Sequence, residues 1–155
     1  MVNLLIREGR PAEIMLIEDN RGDALLTARA FRDARIDNRL SVADTGEKAL
    51  AMLRRQGPHA HLRLPDIILL DLNLPGMSGQ DVLRAIKADA ALKTIPVVVL
   101  SSSEAQGDIA RAYDQHANAY IVKPVSIAKF REVAASIEQF FFMLAILPAP
   151  DAHSA

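Results

Sequence analysis

The chain has 155 residues, half of them hydrophobic, with no cysteine and a formal net charge of −1 at pH 7. This length allows a single domain with a substantial core, and the near-neutral charge gives no electrostatic reason to expect a nucleic-acid partner. The lack of cysteine excludes disulfides and thiolate chemistry, and no apolar run reaches the roughly 20 residues of a membrane-spanning helix, so we expect a cytoplasmic protein with no membrane partner.

Strand and helix patterns alternate along the chain. Short apolar runs at 14–17, 67–70, 97–100 and 120–122 are typical of strands buried on both faces, and another strand is predicted near 39–43. Helical patterns separate them, which is the signature of βαβ units wound around a parallel sheet. The sequence therefore predicts an α/β fold, a doubly wound parallel sheet of five strands with five flanking helices.

The first helix is predicted from its apolar pattern. The first helix should start near Gly22 or Asp23, and we expect it to bury Leu25, Leu26, Ala30 and Phe31.

Polar residues that can cap a helix mark the starts of the next three helices. Thr45 is predicted to cap a second helix that runs to Arg55, while Ser78 and Ser103 each begin a pattern that resembles a capping box. A loop over residues 56–65, longer than most, follows the second helix.

Charged and polar residues follow the ends of the predicted strands. Glu18 and Asp19 follow the first strand, Asp71 the third, Ser101 the fourth and Lys123 the fifth. Ligands of open parallel sheets bind beyond the carboxyl ends of the strands. We therefore expect one crevice that holds carboxylates, a hydroxyl and an ammonium group.

This combination of groups suits phosphoryl transfer. Clustered carboxylates repel one another, and a shared divalent cation with oxygen ligands, Mg²⁺ above all, keeps them ionised. Asp71 could then act as the nucleophile toward a phosphoryl group, while Lys123 and Ser101 stabilise the phosphoryl oxygens.

These motifs, in this order, resemble those of the receiver domain of two-component response regulators over roughly residues 12–140. The resemblance implies a flavodoxin-like receiver fold and a phosphorylatable Asp71 that takes its phosphoryl group from a sensor histidine kinase. It implies that Mg²⁺ is held by Glu18, Asp19, Asp71 and the backbone carbonyl of Asn73. Lys123 and Pro124 match the lysine–proline pair of the family.

The resemblance also implies a conformational switch. Ser101 would move toward the phosphoryl oxygens, Tyr120 would turn inward, and the surface over about 108–120 would carry the readout, with Ser102 in a supporting backbone contact. The family is one of signalling proteins rather than of enzymes.

The carboxyl end differs from a plain receiver. Every residue from 140 to 147 is apolar, so one helical face cannot hide them all, and we expect a homodimer joined by this arm. Receivers of this kind occur beside bacterial phytochrome kinases, which the resemblance makes the expected partner. The predicted organisation is an N-terminal segment 1–11, a receiver 12–140 and an arm 141–155. The predicted contact residues are Phe140, Phe141, Phe142, Leu144, Ile146 and Leu147.

Three alternatives stay open at this point. The apolar run could pack back onto its own chain, and the protein could be a dimeric scaffold that is not phosphorylated. A Mg²⁺-dependent phosphatase with an aspartyl-phosphate intermediate is the third, although it needs a second acid where Asn73 stands.

Overall fold

Five parallel strands form one sheet, seen in a computed structural model that describes residues 9–144. The strands are β1 (Ala12–Ile17), β2 (Asn38–Ala43), β3 (Ile67–Leu70), β4 (Val97–Ser101) and β5 (Ala119–Val122). Their order is β2-β1-β3-β4-β5. The direction of winding reverses between β1 and β3, and a ligand crevice is expected beyond their carboxyl ends. The predicted fold class is confirmed.

Helices cover both faces of the sheet. They are α1 (Arg21–Arg32), α2 (Gly46–Leu53), α3 (Gly79–Ala88), α4 (Gln106–Asp114) and α5 (Ile127–Ile137), with a 3₁₀ turn at Gly57–His59 and a π-helical segment at Glu138–Leu144. Alternate residues of β1 enter two separate cores. Ile14 and Leu16 pack with α1 and α5, whereas Met15 and Ile17 pack with α2, α3 and α4.

Two of the predicted helix caps are confirmed and one is wrong. Thr45 accepts a hydrogen bond from the Lys48 N–H, and Ser78 accepts one from the Asp81 N–H. Ser103 does not cap α4, because that helix begins at Gln106 after Ala105. The capping-box pattern therefore lies too early in the chain to satisfy the first amides of α4.

The predicted burial of α1 is partly wrong. Leu25 is 72% exposed, because the inward face of α1 carries Thr27, Ala30 and Phe31, and Leu25 lies on the opposite side of the helix. Leu26 is half-buried.

The ends of the first two helices also differ from the predictions. The helix α1 begins at Arg21, capped by the Asn20 side chain. The helix α2 ends at Leu53, before the predicted Arg55, which adopts a left-handed backbone with φ 54°.

The apolar run at the carboxyl end divides between core and surface. The prediction that Phe142 is a dimer contact is wrong, because this ring is 1% exposed and packs in the same core as α1 and α5, as the alternative of packing within one chain expects. Phe140 is 56% exposed, and its ring meets Phe141 edge-on with 5.0 Å between centroids. The described part of the structure does not include Ile146, Leu147 or the side chain of Leu144. Within residues 9–144, no helix has the length and apolar character to cross a membrane.

Candidate functional site

Three carboxylates meet where β1 and β3 end. The two strands pair in parallel with Ile17 opposite Leu70, so the residues that follow them become neighbours. One oxygen from each of Glu18, Asp19 and Asp71 lies within 4.8 Å of the others. Glu18 and Asp71 are buried, while Asp19 is exposed.

Lys123 crosses to this cluster from the end of β5. Its backbone N–H donates to the Ser101 carbonyl at 2.8 Å, which fixes the start of the side chain beside β4. The Nζ atom lies 2.6 Å from Glu18 Oε1, 2.8 Å from Asp23 Oδ2 and 3.0 Å from Asp71 Oδ2. The contacts with Asp23 and Asp71 are hydrogen bonds and the contact with Glu18 is an ion pair, so three carboxylate oxygens surround the ammonium group.

The charges in the crevice change the protonation of its members. Burial, and then the hydrogen bond with Asp71, raises the pKa of Glu18 to about 7, against the opposing effect of Lys123. Burial alone would lower the pKa of Lys123, but the contacts with Asp23, Glu18 and Asp71 outweigh it and raise that pKa. Lys123 is thus charged at neutral pH, and excess negative charge remains around it.

The donor set of this cluster fits a hard divalent cation. Its oxygens come from carboxylates, which suits Mg²⁺, and the exposure of Asp19 leaves room for water and a phosphoryl oxygen on the ion. The fourth predicted ligand, Asn73, comes two residues after Asp71 in the chain, and its backbone N–H donates to Asp71 Oδ1 at 3.1 Å.

The first residue of α3 supports the loop that carries Asp71. The Gly79 N–H donates to the Leu72 carbonyl at 3.0 Å. A Cβ atom at position 79 would overlap the Asp71 carbonyl oxygen and Leu72 Cα, so the helix and the loop touch only because this residue is glycine. The sequence analysis missed this role, although a glycine directly after a helix cap was a usable signal.

Both predicted switch residues contact Ser103. Ser101 is fully buried, and its Oγ accepts a hydrogen bond from the Ser103 N–H at 3.2 Å. Tyr120 is half-buried and donates its hydroxyl to the Ser103 carbonyl at 2.8 Å. The Ser103 hydroxyl donates to Asp108 Oδ2 in α4 at 2.6 Å. Ser103 therefore ties the two switch positions to α4.

The other predicted site residues lie at the edge of the crevice or away from it. Pro124 is half-buried directly after Lys123, and Ser102 is exposed. Asp23 was not predicted, because it belongs to the first turn of α1 and not to a strand end. Its signal in the sequence was an acid in the first helical turn, directly downstream of the acidic pair.

A family model described as the response regulator receiver domain matches residues 14–135. Among curated proteins, response regulator Rcp1 of Synechocystis is 37% identical over 139 residues, which cover 90% of this chain and 95% of that protein. The probable methanogenesis regulatory protein FilR2 of Methanothrix harundinacea is 36% identical over 140 residues, and the match covers 90% of each chain.

Two solved structures are similar over most of their length. The phosphorylated cyanobacterial phytochrome response regulator RcpA gives a TM-score of 0.86 at 40% identity, covering 90% of this chain and 99% of that one. The Mn²⁺-bound form of Rcp1 gives a TM-score of 0.83 at 37% identity, covering 90% of this chain and 100% of that one.

Proposed function

The chain belongs to the response regulator receiver domain family, and from this we propose that Asp71 accepts a phosphoryl group from a sensor histidine kinase. The observation that carries the proposal is the arrangement around Asp71. Its carboxylate lies 3.0 Å from the Lys123 ammonium and beside two further acids. Positioning and charge stabilisation of this kind are the main requirements of phosphoryl transfer.

The transfer would exchange one bond to phosphorus for another. A carboxylate oxygen of Asp71 bonds to phosphorus while the N–P bond of the kinase phosphohistidine breaks, and the imidazole leaves with the electron pair of that bond. Lys123 balances the negative charge on the phosphoryl oxygens. Because Ser101 Oγ accepts its bond from Ser103, its own proton stays available for a phosphoryl oxygen.

Glu18, Asp19, Asp71 and the Asn73 carbonyl are the groups that would hold Mg²⁺. The ion, when bound, supplies positive charge to the phosphoryl oxygens. The Mn²⁺-bound form of Rcp1 supports a divalent cation at the corresponding crevice of this chain.

The name of one relative suggests the partner. RcpA is a phytochrome response regulator, and it is 40% identical to this chain. We propose that the kinase is a bacterial phytochrome and that the pair meets in the cytoplasm. Output would pass through phosphorylation-dependent contacts with another protein.

A homodimer through the carboxyl arm is the remaining part of the proposal. The exposed ring of Phe140, next to Phe141, supports it, whereas the buried Phe142 has no part in it. The test compares sedimentation of the full chain, a chain that ends at Leu144, and Phe140→Asp. Both changes spare Phe142 and so leave the core intact. A dimer is expected for the full chain and a lower mass for the variants, and a monomeric full chain would refute this part.

Intact mass tests the central claim. The protein and its Asp71→Asn variant are incubated with Mg²⁺ and acetyl phosphate, and in parallel with a phosphorylated histidine kinase. We expect a gain of one phosphoryl group in the parent and none in the variant. No gain from either donor in folded protein would contradict the proposal and favour a scaffold that is not phosphorylated.

A further inference from the structure

Lys123 has one carboxylate partner that lies outside the proposed metal cluster. Asp23 Oδ2 lies 2.8 Å from Nζ, yet Asp23 is not among the three acids whose oxygens converge. The Asp23 side chain is 30% exposed, whereas those of Glu18 and Asp71 are 2% and 6% exposed. The Asp23 contact therefore lies on the solvent side of the ammonium group.

The local structure of α1 fixes the position of Asp23. Its backbone N–H donates to the Asn20 side chain at 2.9 Å. Its carbonyl accepts a hydrogen bond at 2.8 Å from the hydroxyl of Thr27, which is itself buried. Both bonds hold the first turn of the helix and so fix the backbone from which the Asp23 carboxylate reaches Lys123.

Three carboxylate oxygens lie within 3.0 Å of the Lys123 ammonium, and those of Asp23 and Asp71 accept hydrogen bonds from it. A phosphoryl group on Asp71 that takes an N–H of this ammonium group must displace one of these oxygens. Glu18 and Asp71 contact the ammonium group from inside the protein. A phosphoryl group arrives from solvent, on the side where Asp23 lies. Asp23 also adds a negative charge near the incoming dianion.

We propose that Asp23 occupies, in the unphosphorylated protein, the donor of Lys123 that a phosphoryl group on Asp71 takes over. Asp23 is then a positioning residue that acts through Lys123 and slows phosphorylation. This inference rests on the proposed function of Asp71. Removal of the Asp23 charge frees the donor and also removes a like charge, and both effects act in the same direction.

The chain offers a matched control in Asp81. Asp81 is also the third residue of its helix, its N–H is capped by Ser78 as that of Asp23 is by Asn20, and its carboxylate pairs with Arg84 at the surface. Asp81→Asn therefore removes the same charge from the same helical position without touching Lys123.

The experiment measures the rate of phosphorylation of Asp71 by intact mass, at saturating Mg²⁺ and varied acetyl phosphate. It compares the parent, Asp23→Asn, Asp23→Ala and Asp81→Asn. We expect the second-order rate constant of phosphorylation to rise about three- to tenfold in both Asp23 variants, the range for one charge-assisted bond of a partly exposed pair, and to stay within twofold in the control. Mg²⁺ affinity, measured by calorimetry, should change less than twofold in all of them.

The direction of the change in phosphorylation rate distinguishes this proposal from a purely structural role for Asp23. If Asp23 only holds Lys123 in place, its removal slows phosphorylation, and a slower or unchanged rate in the Asp23 variants overturns the inference. A parent protein that gains no phosphoryl group overturns the proposed function and the inference with it. A parent that is phosphorylated beside unresponsive Asp23 variants overturns the inference alone.

Discussion

The contact between α3 and the Asp71 loop makes Gly79→Ala a test of how the acceptor is positioned. The added Cβ would overlap the Asp71 carbonyl oxygen and Leu72 Cα, which are backbone atoms and cannot turn aside as a flexible side chain can. The helix or the loop must therefore shift. Matched against it is Gly107→Ala in α4, where a Cβ would meet nothing within 4 Å.

The expected effects of the two substitutions have opposite signs. Overpacking costs about 1–3 kcal/mol, while alanine in place of a helical glycine stabilises by about 0.5–1 kcal/mol, so Gly79→Ala should destabilise the protein by up to about 2.5 kcal/mol. At about 2–4 °C per kcal/mol for a chain of this size, Tm should fall by up to about 10 °C. Gly107→Ala should leave Tm unchanged or raise it.

Phosphorylation should respond as well. A displacement of the acceptor by about 1 Å can slow a positioned reaction by up to about 100-fold, and we expect at least about a tenfold loss for Gly79→Ala with acetyl phosphate. Thermal unfolding by circular dichroism and intact mass measure the two effects. Equal Tm and equal phosphorylation rates for Gly79→Ala and Gly107→Ala would refute the role of this contact.

Three further predictions concern the acid cluster and the carboxyl end. Because a proton and Mg²⁺ compete for Glu18, whose pKa is about 7, Mg²⁺ affinity measured by calorimetry should fall as pH drops below 7, and Glu18→Gln should flatten that dependence between pH 6 and 8. An equally steep fall in the variant would assign the proton elsewhere. Glu138 is buried and accepts two backbone N–H bonds, so Glu138→Ala should lower the urea unfolding free energy by about 1–3 kcal/mol, and the exposed Glu132→Ala by less than about 0.5 kcal/mol. Phe142→Ala should cost about 3–5 kcal/mol in the same assay and Phe140→Ala far less in protein dilute enough to be monomeric, whereas similar losses there would mean that both rings are buried within one chain.

The sequence predicted the acid cluster because strand periodicity and the parallel topology together determine which residues share an edge of the sheet. Glu18 and Asp71 follow neighbouring apolar strands, and strands in this register must bring them together. Lys123 follows β5, and its long side chain reaches them past β4. Such reasoning extends to strand ends only. Asp23 comes from a helix whose angle to the sheet no local pattern specifies, so its contact with Lys123 was not predictable from periodicity.

The other errors arise where packing decides among equivalent local patterns. Leu25 and Leu26 are both apolar and adjacent in the sequence of α1. Only the packing of α1 on the sheet determines which of them is exposed. In the apolar run of residues 140–144, composition cannot separate the buried Phe142 from the exposed Phe140. These rings lie in the π-helical segment that follows Ile137, where the periodicity of an α-helix does not apply.

The helix α1 reaches from the acid cluster to the start of the π-helical segment at Glu138–Leu144. Its first turn holds Asp23 against Lys123, and the loop after its last turn is bonded through the backbone of Arg35 and Ile36 to Glu138, the first residue of the π-helical segment. A helix of 12 residues is about 18 Å long. One helix and the loop that follows it therefore connect Lys123 to the start of the π-helical segment without passing through the sheet.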